Sequence, residues 1–243
     1  MSQELFFIGW EQWNKTLAFA NTPPSAGFSF FWGGVGMERP YPPPALLELS
    51  ELSDFGIRLT PAPEVWEWLI AEILADTGSI HNEDHAHLLD ADIRIMWASS
   101  SFEKQGRTVL GQAEQVAFRA GGWQKARMEQ QMRDWFGDVP DFIITLAADY
   151  CFLCSDTDFC ALVEHELYHL AHAKDKYGQP AFTKEGAPKI EMRGHDVEEF
   201  VGVVRRYGAS PDVQALVDAA NKPAEVGKLN ISRACGTCLL RSA

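Results

Sequence analysis

From Val65 the apolar residues recur three and four apart, at Val65, Trp66, Leu69, Ile70, Ile73 and Leu74. That spacing marks one face of a helix, with Pro61 and Pro63 at its entrance and Thr77-Gly78 at its exit. Residues 92–97 then predict a first strand and residues 107–118 a second, joined by the turn-prone stretch 99–106. Residues 123–136 return to an amphipathic helical pattern, closed by Gly137 and Pro140. Residues 141–147 are a short, nearly unbroken apolar run, which reads as a buried strand. Ser155, Asp156 and Asp158 supply a cap and negative charge to one more helix, with Phe159, Leu162, Val163 and Leu170 on its buried side. The order helix, strand, strand, helix, strand, helix predicts an α+β fold with a small sheet.

The two ends differ from this middle. Residues 1–59 are rich in aromatics and proline, among them Phe6, Phe7, Trp10, Trp13, Phe28, Phe30, Phe31 and Trp32, and three prolines follow Tyr41. So much aromatic surface is expected to pack on the main domain; a sharper reading makes it a cleft wall or a partner surface. The main domain is placed at residues 60–210. Residues 211–243 form a tail, with a helix capped at Ser210 and running to Asn221, then Cys235 and Cys238.

Composition narrows the class. A chain of 243 residues with 46% hydrophobic content and eight Trp can bury a substantial core. Its longest apolar runs, such as 142–147, are too short to cross a bilayer, and Glu4 stands where a signal peptide needs basic charge. Five cysteines without a secretory signal point to a reducing compartment, so a cytoplasmic location is expected. A net charge of −13 without a Lys/Arg cluster argues against nucleic-acid binding; Arg205-Arg206 is too small a patch.

The candidate chemistry sits at residues 165–169, HELYH. His165 and His169 are four apart, so both imidazoles share one helix face and reach one ion. Glu166, one step round, can take a proton from a metal-activated water without being a ligand. This is the H-E-x-x-H arrangement of zinc peptidases. A catalytic zinc needs a third protein ligand. His172 lies about 10 Å along a straight helix from His165, too far to share the ion. Asp175 lacks the chain-reversing glycine of metzincins, because His172 occupies that place. Glu191, Glu198 and Glu199 would complete a two-His, one-Glu set. His195 is preferred: Gly194 and Asp196 suit a helix entrance, and the stripe Val197, Phe200, Val201 and Val204 leaves His195 and Glu199 on another side. His81, His85 and His87 form a second histidine cluster that reads as a polar loop rather than a site.

With residues 165–169 followed by 194–200 (GHDVEEF) and 203–208 (VVRRYG), the sequence resembles the phage metallopeptidase family over roughly residues 60–210. It is more distantly similar to SprT-like and related minimal zincins. The resemblance implies a zincin-like domain with a small mixed sheet packed on the HExxH helix, Zn²⁺ held by His165, His169 and His195, and Glu166 as base. It also places residues 108–118 at the cleft edge, where an extended peptide would pair. The expected activity is zinc-dependent peptide-bond hydrolysis by a phage- or prophage-encoded protein in the host cytoplasm, with a peptide or protein substrate, no nucleic acid and no membrane. Tyr177, Arg193 and Tyr207 are candidate oxyanion helpers. The rival reading is a catalytically silent, zinc-stabilised protein that engages a host protein; an intact Glu166 favours the enzyme. Cys151-x-x-Cys154 and Cys235-x-x-Cys238 together match the ligand count of a structural zinc site, although 80 residues separate the pairs.

Overall fold

The computed structural model describes residues 38–50, 56–104, 106–197 and 201–227. The aromatic stretch before residue 38 and the cysteine pair Cys235 and Cys238 lie outside the described residues. The fold is α+β.

The elements begin with α1 (Pro44–Ser50), β1 (Leu59–Pro61) and α2 (Pro63–Leu69), which runs on as a wider π-helical turn, Ile70–Leu74. A six-residue 3₁₀ helix, Glu83–Leu88, precedes β2 (Ile93–Ala98), β3 (Phe102–Lys104), β4 (Arg107–Val109) and β5 (Gly111–Gln115). Next come α3 (Gly122–Phe136), β6 (Phe142–Ala147), α4 (Ala148–Leu153) and α5 (Asp156–Tyr168). The chain continues with β7 (Leu170–His172), β8 (Ile190–Met192), α6 (Val201–Tyr207) and α7 (Pro211–Ala220). Among the described residues no helix is long and apolar enough to cross a membrane.

The main sheet has the order β1-β2-β6-β5. β2 and β6 run parallel at its centre, with Ile95 opposite Ile144, while β1 and β5 are antiparallel edges. The central pair is apolar on both faces: Ile93, Ile95, Met96, Trp97, Phe142, Ile143, Ile144 and Leu146 are all buried. That is the pattern of strands covered by structure on each side. Phe159 of α5 meets Trp68 of α2 at 5.3 Å and Trp97 of β2 at 6.4 Å between ring centroids, so one aromatic cluster joins two helices to the sheet. Trp97 keeps its polar edge satisfied by donating to Glu64 at 2.8 Å.

The expected second strand, 107–118, divides. Arg107–Val109 pairs with Phe102–Lys104 as a separate hairpin, and only Gly111–Gln115 joins the main sheet. The break falls at Leu110, whose carbonyl accepts from Ala147 N–H at 2.8 Å. Helix α3 follows the sequence pattern closely and stops at Gly137, whose left-handed conformation (φ +84°) favours glycine. The short pairs β7–β8 and β3–β4 carry too few residues for a periodicity signal, and they emerge only from tertiary contacts.

Arg39 is buried just before α1 and binds the junction of α4 and α5. Its guanidinium donates to Asp156 at 2.7 Å and to the carbonyls of Cys151 and Cys154 at 2.8 Å each. Those carbonyls end α4 and have no partner within a helix of that length, so the side chain caps them.

Candidate metal centre

α5 begins with a capping arrangement. The Ser155 oxygen accepts from Asp158 N–H at 3.1 Å, and its hydroxyl donates to the Asp158 carboxylate at 2.8 Å. Asp156 and Asp158 add negative charge at the positive end of the helix dipole. The last turn is built differently. The helix stops at Tyr168, His169 N–H donates to Glu166 O at 3.3 Å in a tighter turn, and the chain turns directly into β7.

His165 therefore stands in the final helical turn and His169 at its cap. β7 pairs with β8 in the register Leu170 to Met192, and the pairing continues past β8: Arg193 N–H donates to His169 O at 2.9 Å. His195 follows two residues later. The His165–His169, His165–His195 and His169–His195 ring centroids lie 5.1, 5.0 and 5.1 Å apart. One ligating atom from each of the three lies within 4.8 Å of the other two. His165 Nε2 and His195 Nε2 are 3.1 Å apart, close to the roughly 3.3 Å that separates two nitrogens on a tetrahedral zinc.

His169 Nδ1 lies 2.8 Å from the carbonyl oxygen of Arg193. A carbonyl only accepts, so Nδ1 carries the proton and Nε2 keeps the lone pair that a metal requires. Three imidazoles set this close fit a borderline-soft divalent ion such as zinc.

Glu166 is wholly buried and faces Gly111, the first residue of the edge strand β5. A Cβ on residue 111 would fall 2.8 Å from Glu166 Oε1, 3.1 Å from its Cγ and 3.0 Å from Leu162 Cδ1. Gly111 thus makes the space that the carboxylate occupies. A glycine inside a strand pattern signals a close approach of this kind, although the sequence does not say of what.

The other candidates lie elsewhere. His172 turns away in β7, with Nε2 2.9 Å from Ala181 O and its ring stacked on His87 at 5.5 Å. Asp175 accepts from the N–H groups of Tyr177 and Gln179 and closes a turn. Glu191 is exposed on β8, and Glu198 and Glu199 lie outside the described residues. His195 itself precedes the described part of α6 and sits in the loop after β8, outside any helix. Tyr177 and Tyr207 are three-quarters exposed, and the Arg193 side chain is paired with Asp196.

The second histidine cluster does not converge. His87 bonds Leu170 O at 2.8 Å, whereas His85 packs edge-on against Tyr168 at 4.4 Å. Burial, and then the neighbouring His87, push the His85 imidazole down to about 4, so it stays neutral against α5.

With the geometry in view, the family comparison is direct: residues 66–221 match the family described as "Putative phage metallopeptidase". The chain belongs to this family. The match spans α2 to the end of α7 and contains all three clustered histidines and Glu166. The family is named for a metal-dependent hydrolase that acts on peptide bonds, and the histidine cluster offers the place for a metal. No curated protein and no solved structure matches the chain.

Proposed function

We propose that this protein is a zinc-dependent peptidase in which His165, His169 and His195 hold the metal and Glu166 is the general base. The observation that carries the reading is the meeting of three histidine nitrogens within 4.8 Å, beside a buried carboxylate one residue after the first of them. When bound, zinc supplies Lewis acidity and draws the pKa of a water toward about 7.

The chain's own groups do the rest. Glu166 takes the proton of the attacking water and returns it to the departing amine. Gly111 keeps space for that carboxylate, and the Arg193 carbonyl holds His169 in the ligating tautomer. An extended peptide would lie antiparallel along the outer side of β5, which is an edge of the main sheet among the described residues. In this reading the substrate is a peptide or protein, with no nucleic acid or membrane involved; the family description supports a phage or prophage origin, and action in the host cytoplasm is part of the proposal.

The test is Glu166→Gln, assayed with a peptide library and by elemental analysis. The variant is expected to keep its zinc and lose cleavage by about 10²-fold or more. Equal cleavage by both proteins would remove Glu166 as base. A His195→Ala protein with full, tight zinc would remove the third ligand. Zinc held without cleavage of any peptide, in the wild type, would leave a binding protein in place of an enzyme.

A further inference from the structure

Cys151 and Cys154 flank the last turn of α4, immediately before the Ser155 cap of the helix that carries HELYH. They differ in setting. Cys151 is fully buried, while Cys154 is half-buried and follows Leu153, one of the most exposed apolar side chains in the described structure. Residues three apart on a helical turn bring their β-carbons to about 5–6 Å, and Cys154 leaves the helix in an extended conformation that can shorten this. Cys154 Sγ lies 3.7 Å from the Cys151 carbonyl oxygen, so its thiol is turned back over the last turn of α4 toward Cys151.

One cation serves the pair. The buried Arg39 guanidinium holds the carbonyls of both cysteines at 2.8 Å and is fixed there by Asp156 and by the faces of Tyr41 and Phe159. The neighbouring Cys151 thiol, and then the positive charge of Arg39, draw the Cys154 thiol below its ordinary value. Cys151 is pushed up by the adjacent Cys154 and by its burial. Cys160, the next cysteine along, is pushed up to about 12 by burial and stays a thiol.

We propose that Cys151 and Cys154 form a peroxide-reactive dithiol, with Cys154 as the attacking sulfur and Cys151 as its resolving partner. The Cys154 thiolate attacks one oxygen of hydrogen peroxide; the O–O bond breaks, an S–O bond forms, and hydroxide leaves and is protonated to water. The Cys151 sulfur then attacks the sulfenic sulfur of Cys154. The S–S bond forms, the S–O bond breaks, and the departing hydroxide takes the Cys151 proton as a second water. Two thiols are oxidised to one disulfide, and one peroxide is reduced to two waters. The order of roles follows from access: peroxide reaches the half-buried Cys154, and the buried Cys151 is shielded until Cys154 has been oxidised.

The full-length protein, treated with hydrogen peroxide and then alkylated, is expected to yield a tryptic peptide spanning residues 134–174 that is lighter by two hydrogens. Fragmentation should place the crosslink between Cys151 and Cys154 and leave Cys160 alkylated. With a sulfenic-acid trap, Cys151→Ser should label at residue 154, and Cys154→Ser should lose labelling at residue 151. Labelling of Cys154→Ser but not of Cys151→Ser would overturn the assigned roles. A crosslink from either cysteine to Cys160, Cys235 or Cys238, or thiols that react only after a chelator strips a metal, would overturn the dithiol itself. Circular dichroism of each variant separates a lost thiol reaction from a lost fold.

Discussion

Glu166 can be a buried carboxylate beside three histidines because the residue opposite it has no side chain. The Cβ of an alanine at position 111 would sit 2.8 Å from Glu166 Oε1, and Leu162 closes the other side at 3.0 Å, so the carboxylate has to move. Under the proposed mechanism, Gly111→Ala is therefore expected to retain zinc, whose proposed ligands lie on other residues, while peptide cleavage falls roughly 10- to 100-fold through misplacement of the proposed base. Zinc content and kcat measured on the same preparation decide this. Undiminished kcat would show that the carboxylate does not need the space. At the same scale, His169 depends on a backbone carbonyl rather than a carboxylate for its orientation, so no side-chain substitution at Arg193 by itself removes that hydrogen bond.

Strand β5 is both the wall against Glu166 and, among the described residues, an edge of the main sheet, and its hydrogen-bond phase shows how it would meet a peptide. Leu110 O accepts from Ala147 N–H and Val116 N–H donates to Asp141 O. In an antiparallel ladder these directions alternate, so the N–H groups of Gly111 and Gln115 point away from β6. Gln115 is exposed, and proline is tolerated at an edge position whose N–H faces outward. Gln115→Pro is thus expected to leave the fold and zinc content unchanged and weaken peptide binding by one hydrogen bond, about 1 kcal/mol or about fivefold in Kd. Titration of an uncleaved peptide against the Glu166→Gln protein and the double variant measures it, and equal affinity would exclude backbone pairing there. Element boundaries show the same dependence on neighbours. The apolar pattern continues through Leu170, yet α5 ends at Tyr168, because Leu170–His172 pairs with Ile190–Met192 instead.

Across the whole molecule, the fold buries a neutral histidine against α5, and that has a cost in acid. His85 has an ordinary value of 6.5 in an unfolded chain and about 4 in the folded one. Its contribution to stability is complete above about 6.5 and is withdrawn as pH falls toward about 4, because the unfolded chain takes up the proton first. The loss reaches up to about 3 kcal/mol from this residue. His85→Phe, which keeps an aromatic ring against Tyr168, is expected to lose less stability than the wild type between pH 7 and pH 4.5 in denaturant titrations. Parallel loss in the two proteins would show that His85 does not carry the acid sensitivity. Arg39 is the other long-range tie: from before α1 it closes the carbonyl end of α4, more than 100 residues away.

The sequence by itself determined the α+β class, the apolar strands it places at 92–97 and 141–147, helix α3 to its closing glycine, and the cap of α5. Each of these rests on local periodicity, on turn residues or on caps, which a few neighbouring positions contain in full. It also marked His165, Glu166 and His169, because a spacing of four on a helix is itself a geometry. Tertiary structure alone decided how the remaining parts meet. His195 reaches the other two histidines through the β7–β8 pair and the bonds between His169 and Arg193, and a three-residue strand pair leaves no periodic trace in the chain. Only the packed fold sets Gly111 against Glu166 and Arg39 against the two cysteine carbonyls, since contacts 55 and 112 or more residues apart depend on packing that no local pattern encodes.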